Sequence, residues 1–207
     1  MTRYGMVIDT KLCFGCGTCA VACKVSNNLP KNVWYNRIHT EGGDFDDSAA
    51  GTFPNLTMRY IPVTCQHCST PACVVACPTG ASYKDEETGL VLINSEECIG
   101  CKSCIAACPY EGVRTHIDVA PAFYTDFALG DVSAPKHKAG VVEKCNYCRS
   151  MVKRGDVPAC MQLCPSRART WGDLDDPSSP ASKALAGRQY MRLKESAGTN
   201  PNTYYLI

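Results

Sequence analysis

Cys98-Ile-Gly-Cys101-Lys-Ser-Cys104-Ile-Ala-Ala-Cys108-Pro109 sets four cysteines at the spacing C-x2-C-x2-C-x3-C and closes them with proline. The same spacing stands at Cys13, Cys16, Cys19 and Cys23, and looser versions stand at Cys65, Cys68, Cys73, Cys77 and at Cys145, Cys148, Cys160, Cys164. These four groups use all 16 cysteines of the 207 residues, and Cys77, Cys108 and Cys164 are each followed by proline. Cysteine at this level means a disulfide scaffold or bound metal. The chain is too long to need covalent staples, and Met1 to Asp9 reaches an acid before any apolar leader region forms, so neither disulfides nor a secretion leader is expected. No apolar run of membrane-spanning length is present. Lys+Arg 21 against Asp+Glu 20 gives +1 with no basic block, which argues against nucleic acid as a partner. With only 8% aromatic residues, much of the core's stability has to come from bound metal.

The spacing says which metal. Three thiolates in a short loop followed by a Cys-Pro form the bacterial ferredoxin signature, in which the first three hold one 4Fe–4S cube and the fourth ligates another. Gly15, Gly17 and Gly100 supply the backbone freedom that such loops need. Ala20-Val-Ala-Cys23 and Ile105-Ala-Ala-Cys108 suit one helical turn that turns the fourth thiolate away from the first cluster. Zinc is the rival reading for Cys65/Cys68 and Cys145/Cys148 alone, but a tetrahedral ion needs two pairs rather than a tight triple plus an outlier.

Linker length decides which groups exchange their fourth cysteine. Between Cys77 and Cys98, the runs Ala81 to Lys84 and Leu90 to Ile93 flank the polar turn Asp85-Glu-Glu-Thr-Gly89, which reads as a hairpin. Groups two and three therefore form one two-cluster unit, and groups one and four pair around it. The expected fold is α+β: two interleaved ferredoxin-like modules of short strands, short helices and long loops. The outer module takes 1–58 and 118–175, the inserted inner module 59–117, and 176–207 forms a C-terminal helix and docking tail. Tyr4 to Asp9 and Ala168 to Trp171 are the strands expected to flank the outer module, Arg59 to Thr64 and Gly112 to Ile117 the inner one, with Pro62 at an edge. The ligand sets follow: Cys13, Cys16, Cys19, Cys164 (cluster 1); Cys145, Cys148, Cys160, Cys23 (cluster 2); Cys65, Cys68, Cys73, Cys108 (cluster 3); Cys98, Cys101, Cys104, Cys77 (cluster 4).

The motifs Y-G-M-V-I-D before Cys13, C-x-H-C at Cys65 to Cys68, C-P-Y at Cys108 to Tyr110, V-E-K-C-x-Y-C at Val142 to Cys148 and P-N-x-Y-Y-L at Pro201 to Leu206 span nearly the whole chain. In them it resembles the four-cluster electron-transfer subunits of molybdopterin oxidoreductases, such as the dimethyl sulfoxide, polysulfide, arsenate and respiratory nitrate reductases. The resemblance implies a linear relay in which cluster 1 lies nearest a large molybdopterin-containing catalytic subunit and cluster 4 is distal, with a quinol-oxidising membrane subunit or another donor beyond. Nitrate reductases of this type carry Trp where this chain has Cys101, so four 4Fe–4S clusters are expected here. It also implies co-export with the catalytic partner to an extracytoplasmic site, with a cytoplasmic location as the alternative.

Each four-thiolate cube carries roughly −2, which takes the holoprotein from +1 to about −7. Lys24, Lys102, Lys144, Arg149, Lys153, Arg154, Arg167 and Arg169 stand in or beside the groups as candidate counter-charges, against the simpler reading of solvated surface. His67 lies between two ligands, but a Rieske centre needs two histidines on one iron and the chain has only four, scattered. His67, Tyr110, Tyr147 and Lys102 are expected around the clusters rather than on the iron. His39 to Pro54 and Ala120 to Ala139 read as docking loops. Ser179 and Pro180 start a helix expected to run to about Glu195. No nucleophile–base pair and no phosphate-binding loop is visible, so the chain is expected to conduct electrons rather than catalyse. The rivals are a free-standing polyferredoxin and a formate dehydrogenase or hydrogenase-type subunit.

Overall fold

Chain that must wrap metal has little length left for regular structure, and the elements are accordingly short. The computed structural model describes residues 2–42 and 46–207. In chain order they form β1 (Tyr4–Asp9), α1 (Thr18–Ser26), β2 (Asn36–Thr40), β3 (Ala50–Thr52), β4 (Asn55–Thr57), β5 (Tyr60–Thr64), α2 (Ala72–Val75), β6 (Ser82–Lys84) and β7 (Val91–Ile93). There follow α3 (Ser103–Ala106), β8 (Arg114–His116), β9 (Val142–Lys144), α4 (Arg149–Lys153), α5 (Ala159–Gln162), β10 (Arg169–Asp173), α6 (Pro180–Leu185), β11 (Tyr190–Met191) and β12 (Thr203–Leu206). The mixture is α+β, as the spacing of the motifs predicts.

The only sheet among the described residues with more than two strands has the order β10-β1-β12-β11. Strand β1 pairs antiparallel with β10, Ile8 opposite Arg169, as expected for the outer flanks, and parallel with β12, Met6 opposite Thr203. The hairpin β6–β7 forms as expected, closed by a hydrogen bond from Gly89 N to Asp85 O at 2.8 Å. The two inner flanks do not meet each other. Strand β5 pairs with β2, Pro62 opposite Ile38, and β8 pairs with β9, Arg114 opposite Lys144. Joining β5 to β8 would leave β2 and β9 unpaired, whereas the observed exchange satisfies all four backbones.

Two further expectations are corrected. Helix α6 is capped by Ser179, whose Oγ accepts from Ser182 N, but it stops at Leu185 rather than near Glu195. Gly187 turns the backbone to φ 68, and the chain re-enters the sheet as β11. The segment expected as loop from His39 to Pro54 carries the end of β2 and, at Ala50–Thr52, one arm of the β3–β4 hairpin; its residues 43–45 lie outside those described. The excursion from Ala120 to Ala139 holds no regular element.

Strand β12 explains the apolar C-terminal residues: they dock on this chain. Asn202 N donates to Gln66 O at 2.9 Å and Asn202 Nδ2 to His67 O at 2.8 Å. Thr203 Oγ1 meets the Tyr147 hydroxyl at 2.8 Å, Thr199 Oγ1 meets that of Tyr110 at 2.8 Å, and the Tyr205 hydroxyl donates to Pro62 O at 2.9 Å. One segment thus touches the chain beside groups two, three and four, and through β1 it adjoins group one. The main core mixes Met6, Ile8, Leu90, Trp171 and Tyr205 with Cys19, Cys23, Cys65, Cys145 and Cys160, so thiols are core residues here.

Candidate iron–sulfur centres

All four groups are built the same way. The residue before the second cysteine has a left-handed backbone in each: Gly15 (φ 73), His67 (φ 43), Gly100 (φ 67) and Tyr147 (φ 52). The third cysteine is the second residue of a helix in each: Cys19 in α1, Cys73 in α2, Cys104 in α3, Cys160 in α5. Helix α1 packs on α5 and α2 on α3, which brings groups one and four together and groups two and three together.

The thiols gather into distinct sets. One cavity is lined by Cys13, Cys16, Cys19 and Cys164, and another by Cys77, Cys98, Cys101 and Cys104. Cys23 lies among Cys145, Cys160 and Cys148; burial first, then their charges, push its thiol well up. Cys68 and Cys108 both sit beside Cys65 and Cys73, and burial takes Cys68 up to about 11. All sixteen cysteines are free thiols. Among the described residues no three His, Cys, Asp or Glu side chains converge on the space of a single metal ion.

Burial grades these sets. Cys16 and Cys101 are exposed, whereas Cys23, Cys145, Cys148 and Cys160 are all buried, as are Cys65, Cys68 and Cys73. Exposed Phe14 lines the cavity beside Cys16, and exposed Ile99 lines the one beside Cys101. Hydroxyls two residues further on contact four of the outer thiols: Thr18 to Cys16 at 3.4 Å, Ser166 to Cys164 at 3.6 Å, Ser103 to Cys101 at 3.4 Å and Thr79 to Cys77 at 3.8 Å. The Ser103 hydroxyl is the largest influence lowering the Cys101 thiol.

At the position where groups one and three carry glycine, His67 and Tyr147 stack on each other, with ring centroids 3.9 Å apart. Both are fully buried, and Trp171 meets Tyr147 edge-on at 4.7 Å. The stack closes the seam beside Cys65 and Cys145, and each left-handed residue costs about 1 kcal/mol that this packing offsets. Val91 N donates to His67 Nδ1 at 3.1 Å, and burial, followed by the nearby Lys144 and Arg114 charges, holds His67 neutral. Tyr110 is buried with its hydroxyl 4.0 Å from Cys68 Sγ, while Lys102 is exposed and pairs with Asp118 at 3.0 Å.

The candidate counter-charges divide. Lys102, Arg149 and Arg154 pair with Asp118, Asp85 and Asp131, and Lys153 and Arg167 are exposed. Lys24 is buried but donates to the carbonyls of Pro30, Lys31 and Val33, so it fastens the chain after α1. Lys144, Arg169 and Arg114 are 5%, 4% and 5% exposed, and among the described residues none has a carboxylate partner. Arg114 faces Lys144 directly across β8–β9, a like-charge pairing that is unfavourable unless an anion lies near. A cluster held by thiolates is such an anion, so Arg114 and Arg169 fit the 4Fe–4S group, while Lys144 Nζ donates to the carbonyls of Val91 and Cys145. Arg114 gives no signal in the sequence because it lies outside the cysteine groups; the one available clue is that its placement after Cys108-Pro109 parallels that of Arg169 after Cys164-Pro165.

Known proteins are similar to this chain in sequence over nearly its whole length. A family model described as a 4Fe-4S dicluster domain matches residues 56–123 and 131–174, and one described as a 4Fe-4S binding domain matches residues 10–26. A protein of Halobacterium salinarum, named for the iron–sulfur subunit of dimethyl sulfoxide reductase, is 42% identical over all of this chain and 79% of its own length. The iron–sulfur subunit of arsenate respiratory reductase from a Shewanella strain is 38% identical over 99% of this chain and 96% of its own. A selenate reductase subunit of Mesobacillus selenatarsenatis is 39% identical over 99% of this chain and 72% of its own. The chain belongs to this family of reductase iron–sulfur subunits. As an iron–sulfur subunit it carries electrons on 4Fe–4S clusters, and no helix among its described residues is long and apolar enough to cross a membrane.

Proposed function

We propose that this iron–sulfur subunit holds four 4Fe–4S clusters in the sets Cys13/Cys16/Cys19/Cys164, Cys23/Cys145/Cys148/Cys160, Cys65/Cys68/Cys73/Cys108 and Cys77/Cys98/Cys101/Cys104. The interleaved modules 1–58 with 118–175 and 59–117 each carry two of them. When bound, a 4Fe–4S cluster supplies a one-electron carrier whose potential responds to charge, hydrogen bonds and exposure. The chain's own residues set the path. Those beside Cys16 and Cys101 leave one thiol of each outer set open to a partner, and the His67–Tyr147 stack excludes water from the two inner sets. We assign the Cys16 end to a large molybdopterin-containing subunit and the Cys101 end to a membrane quinol-oxidising subunit or another donor. Co-export with the large subunit to an extracytoplasmic site goes with this assignment, and a cytoplasmic location is the alternative.

The observation that carries this reading is the burial gradient, with exposed thiols only in the outer sets. Iron and sulfide analysis tests it: the expected content is about 16 Fe per chain. A content near half of that refutes the four-cluster assignment. A large subunit co-purifying with the chain separates this reading from a free-standing polyferredoxin.

A further inference from the structure

We propose that Arg169 and Arg114 are electrostatic clamps, each one holding the two clusters of a module together and setting their potentials as a pair. The proposal rests on the ligand sets above. Arg169 Nη2 lies 3.4 Å from Cys19 Sγ, and its Nη1 lies 3.7 Å from Cys160 Sγ. Those thiols belong to clusters 1 and 2. Arg114 Nη2 lies 2.7 Å from Cys73 Sγ, in cluster 3, and Cys73 packs in one buried group with Cys104, in cluster 4, so the guanidinium charge stands beside both.

The two arrangements repeat each other. Each arginine lies on the strand after its module's last Cys-Pro, β10 for Arg169 and β8 for Arg114. The sulfurs are in all four cases those of third cysteines, carried on the packed helix pairs α1/α5 and α2/α3. Each guanidinium has one neutral protein acceptor besides sulfur: Asn36 Oδ1 for Arg169 at 3.2 Å and Ser82 Oγ for Arg114 at 3.3 Å. Arg114 Nε and Nη1 are buried and have no protein partner.

A fully buried guanidinium without a carboxylate is tolerated only where anions face it. The planar fork of Arg169 reaches two sulfurs at once, which a lysine ammonium does not. A fixed positive charge between two clusters favours the reduced, more negative form of both, so each clamp raises two potentials together.

The test is redox titration of the purified holoprotein followed by electron paramagnetic resonance, with iron and sulfide counted in every sample. In Arg169→Gln, two of the four midpoints fall by about a tenfold change in the reduction equilibrium, or about 59 mV each for one electron. In Arg114→Gln the other two fall by a similar amount, and the two affected pairs do not overlap. Arg169→Lys and Arg114→Lys keep the charge but lose the fork, so the two midpoints of the pair shift unequally and by less. If a Gln variant loses iron, the Lys variants decide: unequal shifts within one pair support the clamp, and unmoved midpoints overturn it. With iron intact, a single midpoint moving, all four moving or none moving overturns it as well. Wild-type protein with far fewer than about 16 Fe instead counts against the cluster assignment itself.

Discussion

Tyr147→Phe keeps the ring that stacks on His67 but removes the hydroxyl that meets Thr203 Oγ1 at 2.8 Å. Tyr147 and Thr203 are each 1% exposed, so water does not replace the missing partner. A buried polar group left unpaired costs about 1–3 kcal/mol, whereas removing both partners together is close to neutral. Tyr147→Phe and Thr203→Val therefore each loosen β12, and the double variant loosens it no more than the worse single. A chain folded around bound metal does not unfold as a two-state system, so the assay is amide exchange in the holoprotein, read by mass spectrometry on peptides covering 203–206. Each single variant is expected to exchange about 5- to 150-fold faster there, at one factor of ten per 1.4 kcal/mol. If the two effects multiply in the double variant, the hydroxyls do not act as a pair and the reasoning about the seam is refuted.

Removing the Ser103 hydroxyl in Ser103→Ala lowers the cluster 4 midpoint by about 20–60 mV, the equivalent of one hydrogen bond, and leaves the other midpoints in place. A redox titration in which a different cluster moves contradicts the ligand set of Cys101. Gly100→Ala brings a Cβ to 2.3 Å from Gly140 O at a φ of +67, and the strain of about 2–4 kcal/mol loosens the third group; iron analysis should show selective loss of cluster 4. His137 places Nδ1 2.6 Å from Glu143 Oε2 and Nε2 2.9 Å from Asn27 O, contacts that only the doubly protonated ring satisfies at once. Burial is the largest influence and lowers this histidine, but the Glu143 bond, the Glu143 charge and the Asn27 carbonyl together raise the ring above its ordinary value, with the Tyr35 hydroxyl also on Glu143. Its stabilisation is fully present below the unfolded value of about 6.5 and fades as pH rises through the higher folded one. Proteolysis of the 120–139 excursion should accordingly quicken with rising pH in the native chain and lose that dependence in His137→Gln.

The cysteine spacing makes the loops and the β6–β7 hairpin legible because each is fixed by a short local pattern, and the β1–β10 pairing follows from the matching of groups one and four. What stays hidden has no motif beside it. The pairing of β5 with β2 and of β8 with β9 has no local signature, since each strand is short and any of the four offers the same edge. The true length of α6 is masked because Gly187 is an isolated punctuation mark in a segment of otherwise good helix formers. His67 and Tyr147 are legible as neighbours of clusters but not as one stack, because they come from groups 80 residues apart. Arg114 carries no motif at all, and only burial beside sulfur shows what it does.

Strand β12 follows every one of the sixteen cysteines in the chain, and the segment leading into it supplies the groups that hold the loops at His67, Tyr110 and Tyr147. During synthesis all the thiols therefore emerge before the segment that locks them in place. One short segment therefore fastens three loops that lie far apart in the chain, so a change within it is felt at three cysteine groups at once.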